Sequence, residues 1–320
     1  MKKIFIPLVS IYFTQTLFAQ CDSAYTYYSD LPSNVTILVG DSCLYDDDIA
    51  VLDSLISINS LDYDSPLELG TQTWFNGRLR FLVAGNYGNS SGVNNTIYTL
   101  PENIGNWSSV TALYLEWNGI SELPNSFSKM SELRSFYINN NVLTSLGDSI
   151  GNLANLYIFD LGYNDLVSIP ESICNLEGLS YLWLFNNNLE SLPDCFCGMG
   201  LDWDNYDTGG YPYFAIGGNM LCENLPECVA NSEHLNTSLE QYYYSVQITV
   251  EQDCSDLNIE DKYHYYFGAF VGIYLIILYI YHFEYSFFYR LLKNIYDTKN
   301  QPLYTLNSMN SNAELNSPSL

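Results

Sequence analysis

Positive charge is scarce in this sequence. Ten Lys and Arg stand against 36 Asp and Glu in 320 residues, for a net charge of −26. A field of that sign repels a phosphate backbone, so nucleic acid is excluded as a partner class. Only three His occur and no C-x-x-C pair, so zinc-site spacing is missing. G-x-S-x-G, G-x-x-x-x-G-K-[ST] and H-E-x-x-H are absent as well, which removes the common signatures of hydrolases, phosphate binders and metalloproteases. No cofactor is implied and no enzyme is expected. Carboxylates are abundant in so acidic a chain, so Glu116 and Asp160 carry little weight as a glycosidase pair. Without a D-x-[DN]-x-[DN]-G loop, Asp46, Asp47, Asp48, Asp62 and Asp64 read as a solvated acidic surface rather than a calcium site.

What the chain does have is apolar surface, tyrosine and cysteine. Hydrophobic residues make up 48%, enough to bury a core. The 29 Tyr point to a surface that binds through aromatic contacts. Residues 1–19 read as a signal peptide, with Lys2 and Lys3 before an apolar run that ends at Ala19. Gln20 is not the small residue that a lipid-modified Cys21 requires. Eight cysteines in an exported chain read as disulfides. Cys21 and Cys43 lie before residue 78, and Cys195, Cys197, Cys222, Cys228 and Cys254 cluster late. This placement points to bridges holding two ends of a stack, Cys254 closing on Cys222 or Cys228. Connectivity is otherwise open, and Cys174 stands outside both groups.

From Val110 the sequence repeats every 23 residues, four times without a slip. The first unit carries Leu113, Leu115, Asn118, Ile120, Leu123, Pro124 and Phe127. Equivalent positions recur in the units that begin at Leu133, Leu156 and Leu179. A fifth unit opens with Tyr211, Phe214, Ile216 and Asn219, after an insertion at 202–210. A front unit carries Phe81, Val83 and Asn86, then an insertion before Ile97. The L-x-L alternation is a short strand with one apolar side. Asn118, Asn141, Asn164, Asn187 and Asn219 should turn inward as a ladder that satisfies backbone groups. The pattern L-x-x-L-x-L-x-x-N-x-L-x-x-L-P-x-x-I-x-x-L resembles the leucine-rich-repeat family in its 23-residue form. The lead-in from Pro66 to Arg78 is similar to that of exported bacterial members. The resemblance covers about residues 78–232.

That resemblance implies an α/β solenoid, a curved stack with a parallel β-sheet on its concave face. Residues 20–77, with helical spacing over Asp48–Ile56, are expected to cap the front. Residues 233–258 are expected to cap the end, with a final edge strand at 246–250. Residues 263–283 hold no charged side chain and, as a helix of about 31 Å, match a bilayer core. They are expected to be a transmembrane helix that leaves the repeats outside and a short disordered tail at 284–320. Side chains between the buried positions should face outward on the concave sheet. These are Tyr114, Glu116 and Trp117; Arg134, Tyr137, Asn139 and Asn140; Tyr157, Asp160 and Tyr163; Tyr181, Trp183, Phe185 and Asn186; and Tyr213. Exposed aromatics there mark a ligand face. The family implies recognition or adhesion at a cell surface, with a protein ligand first and carbohydrate second. Self-association as a structural envelope protein is the alternative.

Overall fold

The computed structural model describes residues 21–88 and 92–255. The signal peptide expected at 1–19, the span at 263–283 and the tail at 284–320 lie outside the described residues. Among the described residues, no helix is long and apolar enough to cross a membrane.

The front of the chain forms three short strands, β1 (Tyr25–Tyr27), β2 (Val35–Val39) and β3 (Cys43–Tyr45), and the helix α1 (Asp46–Asn59). Asp46, Asp47 and Asp48 occupy the first turn of α1, where the helix dipole favours negative charge. Asp48 is neither solvated nor a metal ligand. It is fully buried and accepts from Arg78 Nε at 2.8 Å, Arg78 Nη2 at 3.0 Å and the Leu79 N–H at 2.9 Å. Burial raises its pKa, and the Arg78 guanidinium opposes that rise. This ion pair ties α1 to β5 (Arg78–Val83), with β4 (Thr71–Phe75) lying antiparallel beside β5.

The repeats supply β6 (Ala112–Tyr114), β7 (Ser135–Tyr137), β8 (Ile158–Asp160), β9 (Tyr181–Trp183) and β10 (Phe214–Ala215). They pair in parallel from β5 to β10 within an eight-stranded sheet that β4 and β2 complete. Leu82, Leu113, Phe136, Phe159, Leu182 and Phe214 share one register line and are fully buried. Each such side chain contributes about 1.5–3 kcal/mol of burial. At the front unit the buried residue is Leu82, not Phe81 or Val83, a shift of one from the sequence reading. A one-residue shift turns a strand's side chains to the other face. Phe81 accordingly meets Tyr114 on the opposite face, with ring centroids 5.1 Å apart.

Opposite the sheet, each repeat makes a 3₁₀ turn rather than an α-helix: Glu102–Asn106, Asn125–Lys129, Asp148–Asn152 and Glu171–Asn175. Pro101, Pro124 and Pro170 precede three of them with φ of −72°, −65° and −68°. The ring presets the entry angle, and Gly147 adopts the same φ of −71° without it.

The ladder forms at all five positions. Each Asn donates to the carbonyl three residues before it and to the matching carbonyl of the preceding repeat. Its Oδ1 accepts a backbone N–H from the preceding repeat. For Asn164 the partners are Leu161 O at 3.1 Å, Ile138 O at 3.1 Å and the Leu143 N–H at 3.0 Å.

Four disulfides close the described chain: Cys21–Cys43, Cys174–Cys195, Cys197–Cys228 and Cys222–Cys254. Cys174 thus joins a bridge between adjacent repeats. The end segment departs from the expected edge strand. β11 (Thr237–Leu239) and β12 (Gln247–Thr249) pair with each other as a separate antiparallel hairpin. This hairpin is a strap that packs on the sheet face, and its base is held to the fifth repeat by the Gly217 N–H donating to Thr237 O at 2.8 Å and the Gly218 N–H to Val250 O at 2.9 Å.

Candidate functional site

The strap is held by side chains that rise from the sheet face. Tyr163 donates its hydroxyl to Leu239 O at 2.8 Å, and Gln241 Nε2 donates to Asn140 Oδ1 at 2.8 Å. Asn186 Nδ2 donates to Ser238 Oγ, and Trp117 stacks on Tyr242 with centroids 5.1 Å apart. Trp183, Phe185, Ala215 and Leu239 form a small apolar cluster separate from the main core, with Tyr244 packed against it. Gly162 makes room for the Phe185 ring, which a Cβ there would meet at 2.3 Å.

The residue before each ladder Asn is left-handed: Trp117, Asn140, Tyr163, Asn186 and Gly218 have φ of 59°, 53°, 52°, 50° and 70°. Asn and Gly adopt that region readily, whereas bulky residues are strained there. Trp117 and Tyr163 occupy it nonetheless, and both touch the strap.

Between strap and sheet lies a cavity of about 610 Å³. Tyr114, Tyr137, Tyr157, Tyr181, Trp117 and Trp183 line it from the sheet, and Gln241, Tyr242 and Tyr244 from the strap. Tyr87, from the front insertion, and Asp207 and Tyr211, from the 202–210 insertion and its exit, complete the wall. Stacked Tyr114 and Tyr137, 4.5 Å apart, pave the middle.

Two acids define its polarity. Glu116 lines the cavity and is largely buried, and its Oε2 accepts from the Tyr87 hydroxyl at 2.5 Å. Burial pushes its pKa up to about 7, against the pull of that hydrogen bond. Asp207 is different. Backbone N–H groups of Tyr211 and Gly209, at 2.9 and 2.8 Å, and the Tyr181 hydroxyl at 2.9 Å hold its pKa below the ordinary value. Asp160 stands behind the wall, fully buried, accepting from Asn139 Nδ2 at 2.6 Å and the Gly162 N–H at 3.0 Å. Burial pushes it up to about 8, with a smaller push from Glu116. The Tyr244 hydroxyl is buried, which raises its pKa, and the Asn139 side chain beside it opposes that rise.

Of the sequence-predicted face residues, Tyr114, Glu116, Trp117, Tyr137, Asn139, Tyr157, Tyr181 and Trp183 come together around the cavity. The others do not line it. Asp160 is buried, and Tyr163 and Phe185 lie against the strap rather than solvent. Tyr213 packs beside Tyr181, 4.9 Å away, and Arg134 is exposed at the entry to β7. Sequence reasoning missed Tyr87, Asp207, Tyr211, Tyr242 and Tyr244, because insertions and the strap carry them.

The Cys222–Cys254 bridge fastens the strap to the fifth repeat across 32 residues. Closing a loop of that size stabilises by about 3.7 kcal/mol in the chain-entropy account. Replacing both cysteines by Ser is expected to release the strap while the repeats stay folded. Limited proteolysis should then cut within 240–246, and tryptophan emission should shift to the red. A strap that stays resistant in the double variant would show that the sheet contacts alone hold it.

With this geometry in place, comparison with known proteins is direct. Residues 131–189 match the leucine-rich-repeat family model. The matched residues lie within the stack of parallel repeats. No curated protein sequence matches the chain. Among solved structures, it is similar to the leucine-rich-repeat ectodomain of the receptor kinase SOBIR1 from Arabidopsis thaliana, at 18% identity and a TM-score of 0.44. That match covers 57% of this chain and 96% of the other. A leucine-rich-repeat protein of Leptospira interrogans matches at 22% identity and a TM-score of 0.37, covering 49% of this chain and 40% of its own. The plant peptide hormone receptor RGFR1, in complex with RGF2, matches at 25% identity and a TM-score of 0.35, covering 45% of this chain and 26% of its own.

Proposed function

We propose that this is a non-enzymatic recognition protein of a cell surface that binds a protein ligand in the cavity between sheet and strap. The observation that carries the reading is the aromatic wall itself. Tyr and Trp from four successive repeats converge on one open cleft, while the apolar core lies on the other side of the sheet. Large, rigid rings supply contact area at little entropic cost, which is how recognition surfaces concentrate binding energy. Four disulfides fit an oxidising, exported setting. Membrane anchorage through 263–283, with the repeats outside, completes this reading.

The test is capture by the immobilised full chain from surface-protein extracts, with captured proteins identified by mass spectrometry. The comparison variant is Trp117→Asn with Tyr157→Ser. Asn suits the left-handed backbone at 117, as Asn140 and Asn186 show, and Tyr157 is 46% exposed, so the fold should survive. Loss of two aromatic anchors is expected to weaken capture by about tenfold or more. Equal capture by a folded variant would move recognition off this cavity. Capture of glycans in place of proteins would favour the carbohydrate reading.

A further inference from the structure

We propose that the cavity accepts a positively charged side chain of the ligand, an arginine guanidinium, seated between the tyrosine faces and neutralised by Glu116. This rests on the protein-ligand reading above and specifies its chemistry. Two independent features support it.

The first is the lining. Rings of Tyr and Trp present negative π-faces, which attract cations, and a guanidinium also stacks on them. No Lys, Arg or His lines the cavity, so nothing in the wall competes for that charge. The second is the placement of the acids. Glu116 lies deep with one hydroxyl partner, and Asp207 stands in the same wall, fixed by backbone N–H groups. The Glu116 carboxylate can still accept a charge-assisted hydrogen bond from a single guanidinium N–H.

A neutral sugar would also stack on such rings, yet it would leave a buried acid without a counter-charge. Glu116 titrates near 7 with no cation to favour its ionised form, in the presence of Tyr87, Tyr114, Tyr137, Asp160 and Tyr244. All these neighbours are acids or hydroxyls. A bound guanidinium therefore draws a proton off Glu116, and affinity rises with pH through that value.

The experiment is a tryptophan-fluorescence titration of the full chain with N-acetylarginine amide. Its neutral isostere, N-acetylcitrulline amide, and a methyl glycoside serve as comparison probes. Arginine amide is expected to bind at least about tenfold tighter than the citrulline amide, and tighter at pH 8 than at pH 6. Glu116→Gln should remove that preference, and Asp207→Asn should reduce it. Equal binding of arginine and citrulline amides, binding of the glycoside alone, or binding of no probe would overturn the proposal. If protein capture is lost with the aromatic variant but arginine shows no preference, only the cation assignment fails. If arginine is preferred but the aromatic variant captures proteins normally, only the protein-ligand reading fails.

Discussion

Changing Asn164 to Ala is expected to destabilise the protein by about 3 kcal/mol and lower its melting temperature by about 10 °C. Asn164 lies in the interior of the stack and is nearly fully buried. Its Oδ1 is the acceptor for the Leu143 N–H, which belongs to a fully buried residue of the preceding repeat. Alanine leaves that donor unpaired in the core, a loss of about 1–3 kcal/mol, and adds a small void. The carbonyls suffer less, because each accepts twice. Ile138 O retains Asn141 at 3.0 Å, and Leu161 O retains Asn187 at 3.0 Å. A repeat stack is stabilised through its nearest-neighbour interfaces, so damage here also weakens coupling between the front and back repeats. Circular-dichroism melting should show a lower and broader transition, and hydrogen exchange should speed up first at Leu143. A melting temperature within about 2 °C of the parent would mean that water replaces the amide and that the ladder is not a stabilising element.

The ladder was legible because its spacing is local. A 23-residue period places each Asn at a fixed offset from two buried Leu, and no distant part of the chain alters it. The front register was less legible. The insertion before Ile97 breaks the period, and Phe81 and Leu82 both satisfy an apolar alternation. Only pairing of Leu82 with Leu113 decides between them. The left-handed position was within reach of the sequence, since Asn140, Asn186 and Gly218 share one column with Trp117 and Tyr163. Three residues that favour positive φ beside two that do not mark the pair as retained for contacts.

The site was only half legible. Repeat spacing locates a face, and it finds the eight face residues that meet around the cavity. It does not find what covers the face. Tyr163 meets Leu239 at a separation of 76 residues, and Gln241 meets Asn140 at 101. The segment 237–250 looks like one more strand when read locally, since alternation is the same for an edge strand and a free hairpin. The strap turns an open face into a cavity, and with it a face position such as Phe185 into a buried one. Burial of Asp160 follows from the same packing, and it leads to a measurable consequence.

Asp160→Asn is expected to stabilise the protein above neutral pH, by an amount on the order of a few kcal/mol, the converse of the ladder substitution. The cause is linkage between protonation and folding. Burial raises the folded-state pKa of Asp160 from its ordinary 3.8 to about 8. The folded state therefore prefers the protonated acid, while the unfolded chain ionises near the ordinary value. Below that ordinary value both states are protonated and the acid carries no penalty. As pH rises, the unfolded state gains from ionisation and the fold does not, so stability falls until the folded group also ionises near 8. Asn stays neutral throughout and keeps an oxygen for the Gly162 N–H, with the Asn139 amide turned so that its oxygen accepts. Denaturant unfolding of both proteins from pH 4 to 9 should give curves that meet at the acidic end and diverge steadily above it. Glu116→Gln should show the same sign over a narrower range, since its pKa rises only to about 7. Parallel curves would place a counter-charge beside Asp160 and remove the electrostatic tension from this part of the sheet. Divergence would show that the fold retains buried acids behind and within the cavity wall at a cost in stability. Stabilising changes that reduce function are the usual mark of a binding site, and Glu116→Gln should combine a gain in stability with a loss of arginine preference.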